Sequence, residues 1–128
     1  MTYTHVVTQQ VDPTGEVIRS NKSYSAASKV SVDESVATGQ TDKQIFVAID
    51  VSAVKSIIIL SDQAVLLETN SGSTPTNTLS LLAGVPYLWN TDSYDTFKLT
   101  GDVTSIFITN SSGAAARIQL DAVVDPTP

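Results

Sequence analysis

Apolar and polar residues alternate with a period of two along much of this chain, which is the spacing of β-strands with one buried face. The pattern is cleanest near the end, where Ile118, Leu120 and Ala122 are separated by Arg117, Gln119 and Asp121. Ser28 to Val36 repeats it, with Val30, Val32 and Val36 predicted inward and Glu34 interrupting that face near the strand end. After Gly101-Asp102, Ile106 and Ile108 oppose Phe107. The densest apolar stretch runs from Ile45 to Asn70, IFVAIDVSAVKSIIILSDQAVLLETN. Ile45, Val47 and Ile49 share one face there, and Phe46 and Ala48 the other. Both faces are apolar, so the strand is expected to be covered on both sides. Ile57 to Leu60 is a continuous apolar run. Three successive β-branched isoleucines crowd a helix, so a strand central to its sheet is predicted. Ser61-Asp62-Gln63 reads as a tight turn in which Asp62 bonds the backbone two residues on. Val65 to Thr69 then returns antiparallel with Val65 and Leu67 inward. The whole stretch is expected to form the inner wall of the fold.

Elsewhere the alternation is weaker and the punctuation stronger. Tyr3 to Val11 alternates loosely, as suits an edge or interface strand. Asp12-Pro13-Thr14-Gly15 is a turn, because Pro presets φ and Gly supplies a positive φ. Glu16 to Tyr24 is the predicted return strand of an N-terminal hairpin. Ala37 to Lys43 and Ser71 to Asn77 read as loops, and Leu79, Leu81 and Leu82 as a short strand. Ala83 to Pro86 breaks the chain before the aromatic segment Tyr87-Leu88-Trp89. A polar turn from Asn90 to Ser93 leads on to Tyr94 and Phe97, and Asn110 to Gly113 turns again. Pro126 and Pro128 are expected to stop the last strand. One weak internal echo pairs Glu68-Thr69-Asn70-Ser71 with Ile108-Thr109-Asn110-Ser111, read as two similar β corners. Many short strands with regular turns, and no amphipathic helix, predict an all-β antiparallel sandwich or barrel.

Length and composition fit that reading. At 128 residues the chain is expected to form a single domain, residues 1–128. Charged residues make up only 16%, and Ser and Thr take up the difference, as in secreted or assembled β proteins. The net charge of -6 and pI of about 4.4 disfavour nucleic acid as a partner, since an acidic surface repels phosphates. There is no cysteine, hence no disulfide, thiolate metal site or Cys nucleophile. The N-terminus lacks the basic-then-apolar pattern of a secretion signal. No apolar run approaches the ~20 residues of a membrane span. A soluble protein made in the cytosol, with no membrane partner, is the expectation. Without a secretion signal the two glycosylation-like triplets, Asn21-Lys22-Ser23 and Asn110-Ser111-Ser112, carry no weight.

Candidate chemistry is sparse. A Ser-His-Asp triad would have to use His5, the one histidine, and no nucleophile-elbow pattern is present. Asp92 and Asp95 bracket an aromatic loop with oxygen ligands of the kind calcium takes, but without a regular ligand spacing; both residue types are also ordinary turn formers. No phosphate loop, zinc motif or dinucleotide fingerprint occurs. The chain is expected not to be an enzyme and to need no cofactor or metal. Tyr87, Trp89, Tyr94 and Phe97 gather half of the aromatic residues into one short region. They suit sandwich core, a protein interface or a sugar-stacking platform. The candidate interface residues are Tyr3, His5 and Val7 on the first strand and Tyr87, Trp89 and Tyr94 in the aromatic segment.

Several phrases resemble a known group. They are Thr41-Asp42-Lys43-Gln44, Ala48-Ile49-Asp50, Lys55-Ser56-Ile57, Ser61-Asp62-Gln63-Ala64-Val65 and Glu68-Thr69-Asn70-Ser71. The likeness continues through Leu81-Leu82-Ala83-Gly84-Val85-Pro86-Tyr87-Leu88-Trp89 and Val103-Thr104-Ser105-Ile106-Phe107-Ile108-Thr109-Asn110. Together they resemble small all-β proteins of tailed bacteriophages and prophages, found near head genes. The resemblance implies a jelly-roll-like sandwich acting as a capsid decoration, or cement, protein. It implies the major capsid protein as partner, a homotrimer, and a place on the virion surface after synthesis in the host cytoplasm. It carries no site motif, so no residue role follows from it. A glycan-binding module of a phage fibre or other surface assembly, using Trp89 and Tyr94, is the alternative.

Overall fold

The computed structural model describes residues 2–125. It contains ten strands: β1 (Tyr3–Val11), β2 (Ile18–Ala26), β3 (Ser28–Val36), β4 (Lys43–Ile49), β5 (Val54–Ser61), β6 (Val65–Thr69), β7 (Thr78–Leu81), β8 (Tyr87–Asn90), β9 (Val103–Thr109) and β10 (Ala116–Val124). The only helical element among the described residues is a 3-10 turn, Val51–Ala53. It is opened by Asp50, whose carboxylate accepts the Ser52 backbone N–H at 3.1 Å.

Two four-stranded sheets face each other, ordered β3-β10-β5-β8 and β4-β9-β6-β7, with every pairing antiparallel. Successive strands change sheet at every connection from β3 to β10 except β6 to β7. This strand order is that of a jelly roll, which buries one face of each sheet and leaves the short edges at the sides. The core is built from the predicted alternation. Val36, Ile57, Ile59, Ile118 and Leu120 meet Ile45, Ile49, Leu67, Ile106 and Ile108 across the interior. Each such side chain contributes about 1.5–3 kcal/mol on leaving water. β10 carries the strictest alternation and is paired on both sides, with β3 and β5. The prolines expected to stop it, Pro126 and Pro128, lie outside the described residues.

The stretch Ile45 to Asn70 departs from its expected role. It does not form one wall. β4 and β6 belong to one sheet and β5 to the other, so the chain crosses the sandwich twice within it. β5 is central, as its isoleucine run predicts, but β6 pairs with β7 and β9 instead of returning along β5. β4 is an edge strand whose outer face is open, and Phe46 is 80% exposed. Apolar residues on both faces therefore did not mean cover on both sides. Asp62 also acts differently. Ser61 Oγ takes the Gln63 N–H at 3.2 Å, which frees Asp62 to accept the Arg117 N–H on β10 at 2.8 Å. Leu82 falls outside β7 and is exposed.

The echo between Asn70 and Asn110 has a structural counterpart. Asn110 is buried. Its amide donates to Val36 O at 3.0 Å and Ala114 O at 2.8 Å, and its carbonyl takes the Ser112 N–H at 3.1 Å. Asn70 donates to Asp102 O at 2.9 Å and accepts the Thr104 N–H at 2.8 Å. Each asparagine closes the corner after an inner strand by satisfying backbone groups that the ladder leaves unpaired.

β1 and β2 form a third, separate two-stranded sheet in continuous register from Tyr3↔Ala26 to Val11↔Ile18. Gly15, at φ 96°, closes its turn with the positive φ that glycine adopts without strain. One half of this hairpin lies on the outer face of the β3-β10-β5-β8 sheet. The other half, Gln9–Val11 with Ile18–Ser20, is exposed on both faces and stands clear as an arm.

Candidate functional site

The arm is fastened by a small satellite core. Tyr3 and Val7 of β1 and Tyr24 and Ala26 of β2 pack on Val123 of β10. These residues alternate with exposed ones, so one ribbon face carries all the contacts. His5 sits among them. Its Nδ1 lies 2.9 Å from Ser56 Oγ and its Nε2 lies 2.7 Å from Asp121 Oδ1. The second Asp121 oxygen accepts from Ser31 Oγ at 2.7 Å and from Lys29 Nζ at 3.2 Å. Burial alone would raise the Asp121 carboxyl. The hydrogen bonds from His5, Ser31 and Lys29 and the charge of Lys29 outweigh it, and hold the group below its ordinary value.

Serine, histidine and aspartate thus form a hydrogen-bonded chain. In a hydrolytic triad the serine must face a substrate and oxyanion donors. Ser56 has no exposed surface, lying on β5 beneath the arm. The chain of three joins β1 to β5 and β10, and its geometry is that of a fastening.

A second fastening lies at the other end of the sheet. Tyr24 donates its hydroxyl to Asp92 Oδ2 at 3.0 Å, and Lys22 Nζ lies 4.0 Å from the same oxygen. Burial, then the Asp92 carboxylate, pushes the Tyr24 hydroxyl up. Asp92 belongs to the loop after β8, which is held at several points. The Asp92 N–H bonds Asn90 Oδ1 at 3.0 Å, and the Asn90 N–H bonds Ser93 Oγ at 2.9 Å. The Thr91 N–H reaches Lys55 O at 3.1 Å.

The aromatic segment divides into two environments. Tyr87 and Trp89 are paired with Ile59 and Ile57, so they share the inner side of the sheet at its β8 edge and pack on the core while half-buried. Trp89 stacks on Phe97 with ring centroids 4.3 Å apart and planes 9° from parallel. Its Nε1–H donates to Asp95 O at 3.2 Å. Tyr87 Oη accepts the Lys98 N–H at 3.0 Å. Burial raises the Tyr87 phenol more than that bond lowers it. Tyr94, between these anchors, is fully exposed.

Between arm and loop opens a cleft of about 540 Å³. Val7, Tyr87, Trp89 and Tyr94, flagged in the sequence as interface candidates, all line it. Tyr3 and His5 do not, and instead point from the docked half of the hairpin onto the sheet. Two residues that matter here were not singled out in the sequence. Tyr24 is the one aromatic of β2, and its alternation with Ala26 marks the packed face. Ser56 looks like any strand serine, and nothing in its neighbourhood announces a histidine partner 51 positions away. Smaller hollows of about 390 and 330 Å³ lie at one end of the sandwich and on the uncovered part of the outer sheet face. Among the described residues no three His, Asp or Glu side chains gather as a metal site, and no helix is long and apolar enough to cross a membrane. Asp92, weighed above as a calcium ligand, is engaged by Tyr24 and Lys22. No family model, curated protein or solved structure matches this chain.

Proposed function

We propose that this chain is a non-enzymatic structural protein that decorates a bacteriophage head, binding across neighbouring major capsid subunits as a homotrimer. The observation that carries the reading is the arm. Gln9–Val11 and Ile18–Ser20 are exposed on both faces, and the apolar tip residues Val11 and Ile18 stand 64% and 66% exposed. A lone two-stranded ribbon is marginal in water and gains by docking. Its free strand edges also present unpaired backbone groups for strand addition to a neighbour's sheet. The fully buried Ser56 in the Ser-His-Asp chain supports a role without catalysis. Copies that bind only the assembled lattice stabilise it by mass action, so a clamp raises the energy needed to separate capsid subunits. The place of action is the capsid surface, reached after synthesis in the host cytoplasm.

The test is reconstitution on stripped heads, followed by heat or osmotic shock. Heads recoated with the native chain are expected to survive better than bare heads. A triple variant, Val11→Ser with Val17→Ser and Ile18→Ser, changes only exposed side chains, so it is expected to fold but not to coat. Equal survival of bare and coated heads would overturn the proposal, as would full coating by the triple variant.

A further inference from the structure

We propose that the cleft between the arm and the β8 loop binds a neutral saccharide, a second recognition function that stands apart from docking by the arm tip.

Its size is the first reason. A concavity of about 540 Å³ lies within the range of small-molecule sites, roughly 300–1,000 Å³. It holds one to a few pyranose rings and is too small for a folded domain. The second reason is Tyr94. A tyrosine with no cover normally sits in a mobile segment, yet this one projects from a loop tied on both sides. Asn90, Thr91, Asp92 and Ser93 anchor the near side, and the Trp89 bond to Asp95 O anchors the far side. An amphipathic ring presented in water from an anchored backbone at the rim of a cleft offers contact area without first ordering the loop. The flat apolar face of a sugar ring matches such a ring, and the sugar's hydroxyls match its polar surroundings.

The third reason is charge. Lys22, Lys98, Asp92 and Asp95 all line the cleft, and Lys22 Nζ lies 4.0 Å from Asp92 Oδ2. Two cations against two carboxylates leave no net sign to draw a phosphate, a nucleotide or a polyamine. The remaining polar lining is hydroxyl and amide, with Gln9, Ser20 and Ser93 among it. Such groups both donate and accept, as a polyhydroxylated ligand requires. Neutrality, hydroxyl-rich walls and one presented aromatic ring together favour an uncharged carbohydrate over an anionic one.

The isolated chain suffices to test this, independently of any capsid. Trp89 is its single tryptophan and lines the cleft, so tryptophan fluorescence reports on the site. The probes are maltotriose, cellotriose and chitotriose, followed by an array of neutral bacterial oligosaccharides. At least one is expected to give a saturable change. Tyr94→Ala is expected to weaken binding at least about tenfold with an unchanged melting temperature, because the ring touches nothing. Lys43→Ala, on the far sheet, is expected to bind as the native chain does. No saturable response to any neutral glycan would overturn the proposal. So would undiminished binding by the Tyr94 variant, or binding only of acidic glycans with loss in salt. Loss of capsid coating, without glycan binding, in the Tyr94 variant would assign the ring to a protein interface and equally overturn it.

Discussion

His5 Nε2 lies 2.7 Å from Asp121 Oδ1, and this contact joins the third residue pair of the hairpin, His5↔Tyr24, to β10, an inner strand of the β3-β10-β5-β8 sheet. The partner nitrogen covers Ser56, which has no other side-chain partner among the described residues. Removing the ring therefore uncouples two structures and orphans a buried hydroxyl. His5→Ala is expected to cost about 1–3 kcal/mol. Hydrogen exchange is expected to show lost protection in Tyr3–Val7 and Lys22–Ala26 while β5 and β10 keep most of theirs. Uniform loss across the sandwich would show the hairpin to be part of the main cooperative unit.

Asp121 has a pH signature. Its carboxyl is held below its ordinary value of 3.8 by His5, Ser31 and Lys29, against the effect of burial. A group depressed in the folded state contributes stability above its unfolded pKa, and that contribution disappears as the pH falls through the folded pKa. The native chain is thus expected to lose this part of its stability only below about pH 4. Asp121→Asn is expected to lower the melting temperature at neutral pH, with the difference closing in that acid window.

Glu68 gives the opposite sign. Partial burial, then the charge and hydrogen bonding of Asp42, raise its carboxyl above 4.5. Its ionised form is the disfavoured one, so at neutral pH it subtracts from stability. Glu68→Gln is expected to raise the melting temperature at neutral pH and to leave it unchanged in acid. A pH series of thermal melts on the two proteins checks both halves.

The two corner asparagines differ in burial, and this sets their energetic weight. Asn110→Ala takes the amide donor from buried Val36 O and leaves Ala114 O with the Ser112 hydroxyl alone. About 3 kcal/mol of stability is expected to go. Asn70 makes comparable bonds at a more exposed corner where water replaces them. Asn70→Ala is expected to cost about 1 kcal/mol. Urea unfolding with an unchanged slope for both variants separates these values from any change in the unfolded state.

Phe46 and Ile57 are both large apolar strand residues with contrary positions. Ile57 is fully buried between the sheets, and Ile57→Ala is expected to cost about 2–5 kcal/mol. Phe46 is 80% exposed, and Phe46→Ser is expected to shift stability by no more than about 0.5 kcal/mol. Equilibrium unfolding of both decides it.

That pair shows what could be read in the sequence and what could not. Alternation names the two faces of a strand, and it identified the inward residues of β3, β6 and β10 and separated Ile106 and Ile108 from Phe107 on β9. It does not say which sheet a strand joins. Nothing local distinguishes β4 and β6 from β5, since their partners lie tens of residues away on β9 and β10. Phe46 misled because an apolar side chain on an open edge face looks the same as one under cover. The hairpin was legible from Asp12-Pro13-Thr14-Gly15, a local signal. Its seat on the sheet was not, because His5, Ser56 and Asp121 are ordinary residues individually and meet only through the topology. Of the cleft, the aromatic loop and Val7 were visible in advance. The facing wall from Ser20 to Tyr24 was not, since polar strand residues carry no mark of what they border.

The pairing of β3 with β10 sets the order of events during synthesis. The first strand of the sandwich has its ladder partner in the last, β10, and β5 awaits the same strand on one side. Until Ala116–Val124 leaves the ribosome, the isoleucines of β5 have no completed sheet to enter. Contacts that close over such long loops form slowly, and the waiting strands are open to aggregation. Truncation after β9 would remove the one strand that joins β3 to β5.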